Sequence, residues 1–562
     1  MIPIRIGTMA VQGAIAGVFV LTVNTAITGA GTVSASNQFQ LPAIGTYRVF
    51  WGDGTNQLVT ANFPIDYVTK TYATSGTYII NIVWDVLSTK KQIYFNNSGD
   101  RNKLLNISRW GITQWTSMEA AYAGCTNLTG TYLDFPDLQS VTTLANAFDG
   151  CTNFNGSMTG WNTSAIIDMS YFLRNAINFN QPMSDFNTAA VTDMQFMFTN
   201  LASFNQDISN WNTSAVTNMS NMFNGCSSFN QNIGTWSTNS VTNMSSMFFS
   251  ASAFDQNIGT WNIAAVTDMS DMFRNATAFN QNIGTWTTAM VTNMSGMFRG
   301  ATAFNQNIGA WATSSVTNMS GMFRDAVVFN QNIGGWNTAN VEDMSTMFNV
   351  AAAFNQDIGG WNTGKVANMS SMFRSASAFN QDIGGWNTAA ATNMSSMFRS
   401  ATAFDQDLGA WGVSTVTNFV DFMADKTDAN FTAANLDAIY NGWTNYSLQT
   451  GRSINFGTIK YTAAATEARA LLTRTNATVA VSNAQNNGSG LIRITANGHG
   501  LSTGNKVFIS GITGTTEANG AWIVTVFDAN NIDLQSSAFA NTYVSGGTVR
   551  TGYGWSVIDG GI

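Results

Sequence analysis

The chain has 562 residues, of which 44% are hydrophobic and only 10% charged, with 50 Gly and a formal net charge of -8. That is too long for one ordinary core and too apolar for a chain that stays unfolded, so several domains or a repeat array are expected. A cytoplasmic enzyme would carry about 25% charged residues, and 23 Lys plus Arg scattered through an acidic chain give nucleic acid no basic track to follow.

At the start, Arg5 precedes an apolar run from Met9 to Leu21 that Gln12, Gly13 and Gly17 interrupt. The run is too short to span a bilayer and too weakly basic for a signal peptide. Neither a cleaved leader nor membrane insertion is expected; residues 1–14 read as an N-terminal arm and Phe19 to Val23 as a first strand.

Next, Trp51-Gly52-Asp53-Gly54 is a tight-turn signal, and Gly76-Thr77-Tyr78-Ile79-Ile80-Asn81-Ile82 alternates with period two. With Lys70-Thr71-Tyr72 between them, these residues resemble a PKD-type immunoglobulin-like β-sandwich over 15–88, followed by a linker over 89–105. Asp53 has no carboxylate or base near it in sequence, so Asp53 and Gly54 are assigned to the turn rather than to chemistry.

From 106 to 429 the chain repeats every 25 residues. Trp211, Trp236, Trp261, Trp286 and Trp311 mark the register, which continues to Trp411; Met294, the pair Met297-Phe298, and then Ala301, Phe304, Asn305, Gln306 and Ile308 stand for the rest of one repeat. Met294, Met297, Phe298 and Ala301 lie at i, i+3, i+4 and i+7, which predicts a helix of about two turns, with a strand over Phe304 to Trp311. One short helix and one short strand cannot bury each other alone, so about thirteen coils must stack, into a rod or arc of roughly 60 Å at ~4.8 Å per coil. The Trp column suits either sugar stacking or packing, and its register with Met, Phe and Ile favours packing. Asn and Gln columns are expected to form ladders from coil to coil. Arg274, Arg299, Arg324, Arg374 and Arg399 form a further column that no core requires. Its copies repel unless nearby acids offset them or an anionic ligand faces them.

The block Val291 to Thr313 (Val-Thr-Asn-Met-Ser-x-Met-Phe-x-x-Ala-x-x-Phe-Asn-Gln-x-Ile-Gly-x-Trp) resembles the repeat of the BspA-like leucine-rich-repeat surface proteins, the DUF285 group. The resemblance implies a leucine-rich-repeat-like solenoid of the kind found in bacterial surface adhesins and phage proteins. It does not say what is bound.

After the last coil, Asn430 to Trp443 resembles the cap that follows such repeats, which should run over 430–475 and close on Gly554-Trp555-Ser556-Val557-Ile558-Asp559-Gly560-Gly561, within 551–562. The intervening 476–550 reads as an insertion of short strands with Gly turns, similar to a small β-barrel module that recurs in phage tail and fibre proteins. The expected fold is thus mainly β with short helices: a leucine-rich-repeat-like solenoid flanked by an immunoglobulin-like sandwich and a small β-barrel module.

Little in the sequence points to catalysis. The single His499 sits in a Gly-His-Gly turn with no triad spacing around it, Cys125, Cys151 and Cys226 have no zinc spacing, and no phosphate loop or paired-carboxylate motif stands out. No enzyme, cofactor or metal is expected. The reading that follows is a structural virion protein, a tail fibre, tail tip or capsid-decorating fibre, forming a homo-oligomer. Its partners would be other virion proteins and a host cell-surface glycan or protein, with the arginine column facing the ligand. The alternative is a bacterial cell-surface adhesin.

Overall fold

The computed structural model describes residues 17–61 and 67–562, in two compact units, Met1–Val266 and Thr267–Ile562. The arm expected over 1–14 lies outside the described residues. The chain is mainly β, with two short α-helices among the described residues.

The first unit opens with β1 (Phe19–Asn24), β2 (Gln38–Leu41), β3 (Ala43–Phe50), β4 (Asn56–Ala61), β5 (Val68–Thr71), β6 (Thr77–Trp84), β7 (Gln92–Ile93), β8 (Leu104–Arg109) and β9 (Thr129–Gly130). One sheet runs β4-β3-β6-β1-β8-β9, with β7 also on β3, while β2 and β5 form a separate antiparallel pair. Alternation along β1 sends Phe19, Leu21 and Val23 inward, all fully buried. Phe19 is ringed by Trp84, Trp110 and Trp115, with centroids 5.0 to 6.0 Å away.

The segment expected as a linker is built into this sheet through β7 and β8. Its Asp100 accepts from the backbone N–H groups of Val33, Ser34 and Gln40, and buried Lys103 donates to the carbonyls of Ser34, Ala35 and Gln38. Both charges are out of water and 3.6 Å apart, and each is hydrogen-bonded on its remaining sites.

The 25-residue coils have the same construction in each unit, and it is not the predicted one. Where a helix was expected, the N–H groups of Met294, Gly296, Phe298 and Gly300 donate to Asn318, Ser320, Met322 and Arg324 of the next coil at 2.8 to 3.0 Å. Those of Met297, Arg299 and Ala301 close tight turns on Met294, Gly296 and Phe298. Gly296 and Gly300 have φ of 61° and 68°, in the left-handed region that interrupts a right-handed helix. These consecutive turns bury the same four positions that a helix would. The strand expected over Phe304 to Trp311 is also absent; the parallel bridges fall instead on Asn293, Asn318, Asp343, Asn368, Asn393 and Asn418.

The corners are Asx turns, in which a side-chain oxygen captures the N–H two residues on. In one coil Asn332 holds Gly334, Asn337 holds Ala339 and Asp343 holds Ser345, at 2.7 to 3.1 Å. This explains the low charge and high Asn content. Inside the coil, aromatic rings stack on their own copies, as in Phe298 on Phe323 at 5.8 Å and Trp311 on Trp336 at 6.4 Å.

The second unit ends in α1 (Ala433–Trp443), β10 (Ser453–Asn455), α2 (Thr466–Thr473), β11 (Ala477–Ala480), β12 (Asn483–Asn486), β13 (Ile492–Thr495), β14 (Lys506–Ser510), β15 (Gly520–Val526), β16 (Asn531–Leu534), β17 (Thr548–Gly552) and β18 (Ser556–Ile558). Thr432 caps α1 by accepting from Asn435 N–H. β18 returns to pair in parallel with β10, Ser453 opposite Ser556. Between them lies an antiparallel sheet ordered β11-β17-β14-β15-β16-β13-β12, curled around Ile492, Ile494, Val507, Ile509, Val524, Ile532, Leu534 and Val549. β11 and β17 pair at its neck, Ala477 opposite Gly552, so the two ends of the inserted stretch are adjacent.

Candidate binding surface

The arginine column is placed by the tight turns. Each Arg follows the Met-Phe pair, where one side chain per coil points away from the buried face, and all five lie in the second unit. Arg274 pairs with Asp271 and Arg324 with Asp325, each at 3.4 Å, while Arg399 reaches Asp421 and Asp425, both at 3.0 Å. Arg299 and Arg374 make no ion pair among the described residues. Partial burial, then the like charges of Arg274 and Arg324, lower the pKa of Arg299 from its ordinary value. Exposed pairs of this kind contribute ~0–1 kcal/mol each. Asp325 and Asp271 also act on Arg299 at longer range, and Asp425 on Arg374, so these two copies are set apart only by making no direct ion pair.

The tryptophans form no exposed platform. Trp211, Trp236, Trp261, Trp286 and Trp311 are 3 to 4% exposed. The indole N–H of Trp311 donates to Ile283 O at 3.1 Å and that of Trp336 to Ile308 O at 3.2 Å, one coil back. Met294, Met297, Phe298, Phe304 and Ile308 are fully buried beside them. In the amide columns the contact differs from a copy-to-copy ladder: Asn305 Oδ1 accepts both the Asn330 N–H and the Gln331 side-chain amide, at 2.9 and 3.0 Å.

Asp53 sits in the turn between β3 and β4, between Gly52 and Gly54, both with φ above 80°. Partial burial opposes its ionisation, but hydrogen bonds from Lys70 and Thr55 outweigh that and bring its carboxyl to about 2. His499 Nδ1 accepts from Leu501 N–H and its Nε2 faces Asp528 O, both at 3.0 Å, which ties the ring into a turn of the inserted sheet. The three cysteines are free and buried at the small-residue position of their coils, and burial pushes their thiols up.

Two features escaped the sequence reading. Lys426 occupies the position filled by Ala401 one coil earlier, and its ammonium donates to Ala401 O, Phe404 O and Asn430 O at 2.6 to 2.8 Å. Burial pulls its pKa down to about 8, so the three carbonyls still meet a cation at neutral pH. A lysine arriving 25 residues after an alanine was the available signal. The other is the stretch Leu133-Asp134-Phe135-Pro136, which departs from the repeat and carries exposed apolar side chains.

Among the described residues no three His, Cys, Asp or Glu side chains are grouped to hold a metal, and no helix is long and apolar enough to cross a membrane. The repeats present rows of polar side chains around buried Trp, Met and Phe columns. No curated protein and no solved structure matches the chain. The family model described as "Mycoplasma protein of unknown function, DUF285" matches residues 116–218, 203–290, 281–367 and 329–436, more than half of the chain, and the chain belongs to that family.

Proposed function

We propose that this protein is a surface-presented binding protein of the adhesin kind, a leucine-rich-repeat-like solenoid of the BspA type that performs no catalysis. The observation that carries the reading is how the coils divide their side chains: the Trp and Met-Phe columns are buried, and the turns leave repeated polar positions outside, including Arg299 and Arg374, which make no direct ion pair among the described residues. Arg forks pair well with carboxylate, sulfate and phosphate groups, so an anionic glycan or polymer of an opposing cell surface is the partner proposed for that column. The N-terminal sheet is read as a PKD-like sandwich, and it is assigned to attachment.

A second reading, a tail fibre or other virion component with homo-oligomeric assembly, rests on one feature, the sequence resemblance of residues 476–550 to a small module of phage tail and fibre proteins. Mass spectrometry of purified virions against washed cell envelopes separates the two readings. Binding itself is tested with Arg299→Gln, Arg324→Gln and Arg374→Gln combined. The variant should fold normally yet adsorb less to cells, and wild-type adsorption should weaken as salt rises. Undiminished adsorption by the folded variant overturns the anionic-partner reading.

A further inference from the structure

The first unit contains a cleft that the repeat does not explain. It has a volume of about 350 Å³ and is lined by Gly111, Ile112, Phe135, Pro136, Asp137, Leu138, Gln139 and Asn162. Packing does not require its apolar rim: Ile112 is 74%, Leu133 103% and Phe135 58% exposed. Such a concentration around one cleft, from Ile112 and the loop carrying Leu133 and Phe135, differs from the scattered apolar residues of an ordinary surface.

The loop is held in place. The Asp134 carboxylate accepts from Trp110 N–H and Gly111 N–H, at 2.8 to 3.2 Å. Phe135 lies over Gly160, where a Cβ would stand 3.1 Å from the ring, so the absence of a side chain there makes room for the aromatic. Gly160 also has φ of 81°, which disfavours a larger residue. Trp115 N–H donates to Asp137 O, tying the far side of the loop to the coil before it.

The polar groups around the ring are available. Asn162 uses its Oδ1 on Ser164, which leaves both protons of its amide nitrogen unengaged among the described residues. The Gln139 side chain has no partner among them either, and the Asp137 carboxylate accepts only from Gln139 N–H. An exposed ring face, two amides offering donors and acceptors, and one carboxylate, with no Lys or Arg in the lining, match a ligand with an apolar face and a rim of hydroxyls. The carboxylate and the missing cation disfavour an anion. The geometry points to a neutral pyranose sugar, stacked on Phe135 with its hydroxyls on Gln139, Asn162 and Asp137. This site is separate from the arginine column, and either can fail without the other.

The test is saturation-transfer difference NMR on the full chain with methyl glycosides of glucose, galactose and N-acetylglucosamine, and a uronate as the charged control. Transfer to at least one neutral glycoside is expected, insensitive to salt, lost in Phe135→Ala and Gln139→Ala, and kept in Phe135→Trp. Unchanged melting curves for the variants exclude misfolding. Absence of transfer to any neutral glycoside, equal transfer in the variants, or preference for the uronate overturns the proposal. So does transfer that appears only when residues 1–16 are removed.

Discussion

The coils, built of tight turns with isolated bridges, and the inserted sheet of residues 477–552 hold their backbones in different ways. In the sheet, β14 pairs with β15 and β17, and burial alternates along β13 and β14, so these short segments state their own conformation. In the coils alternate N–H groups bond 24 residues away in the next copy while those between them close turns within their own coil, so part of each coil's bonding waits for its neighbour. The sheet can be damaged locally; the coils transmit damage from one copy to the next.

Core truncation should separate them most sharply. Phe298 is fully buried, with Phe304 at 3.9 Å and Phe323 at 5.8 Å. Phe298→Ala is expected to cost ~3–5 kcal/mol and to speed amide exchange in the coils on both sides. Ile494→Ala, at ~2–5 kcal/mol, should raise exchange only within the inserted sheet. Confinement of the Phe298→Ala effect to its own coil would break the comparison.

Excision comes next. Gly554 N–H and Trp555 N–H donate to Arg474 O and Leu472 O, so a short Gly-Ser link from Arg474 to Gly554 should leave the coils and the β10–β18 pair intact. The cap will lose the Lys506 ammonium from Asn441 O, Thr444 Oγ1 and Asn445 Oδ1, and should melt earlier by a few degrees. Aggregation of the shortened chain would show that the sheet is integral to the cap.

Lys426→Met tests the end of the coils and has a defined pH signature. Three carbonyls lose their donor, at a cost of ~1–3 kcal/mol. Burial lowers the lysine pKa from 10.5 to about 8, so between those values the unfolded chain holds the proton more firmly than the folded one. Stability therefore rises with pH across that window and is penalised below it. Lys506 shares this behaviour, also at about 8. Denaturation series at pH 7.5 and 10, at roughly the two ends of that window, should show a smaller rise for the variant than for the wild type.

The smallest effect concerns the left-handed turns. Val350 holds φ of 60° at the position where Gly300 stands two coils earlier. Replacing this β-branched residue, Val350→Gly, should stabilise by ~1 kcal/mol, read as a shift in denaturation midpoint. A loss instead would mean that the valine side chain contributes packing beyond its strain.

These contrasts also mark what the sequence made legible. The 25-residue register and the buried Trp and Met-Phe columns follow from spacing, the closing strand from the resemblance to capped repeats, and all are present in the fold, the strand as Ser556–Ile558. The helix reading failed because i, i+3, i+4, i+7 records which residues are buried, while the φ of Gly296, Gly300 and their counterparts decides how the backbone reaches those positions. The aspartates that offset Arg274 and Arg399 were visible as residues, but their pairing depends on turns that the helix reading had replaced. The Phe135 cleft was hidden because Phe135 in one coil and Gly160 in the next meet only on stacking.

The lysine that ends the small-residue column separates two kinds of inheritance. Copies between about Asn293 and Asn393 bond only to the copies before and after them, through the same atoms each time. A block of 25 residues can be gained or lost there without disturbing Lys426, Trp443 or the closing strand. Copy number is thus free to drift under selection while the terminator stays constant, and related chains should differ in whole repeats more readily than in the residues that seal the end.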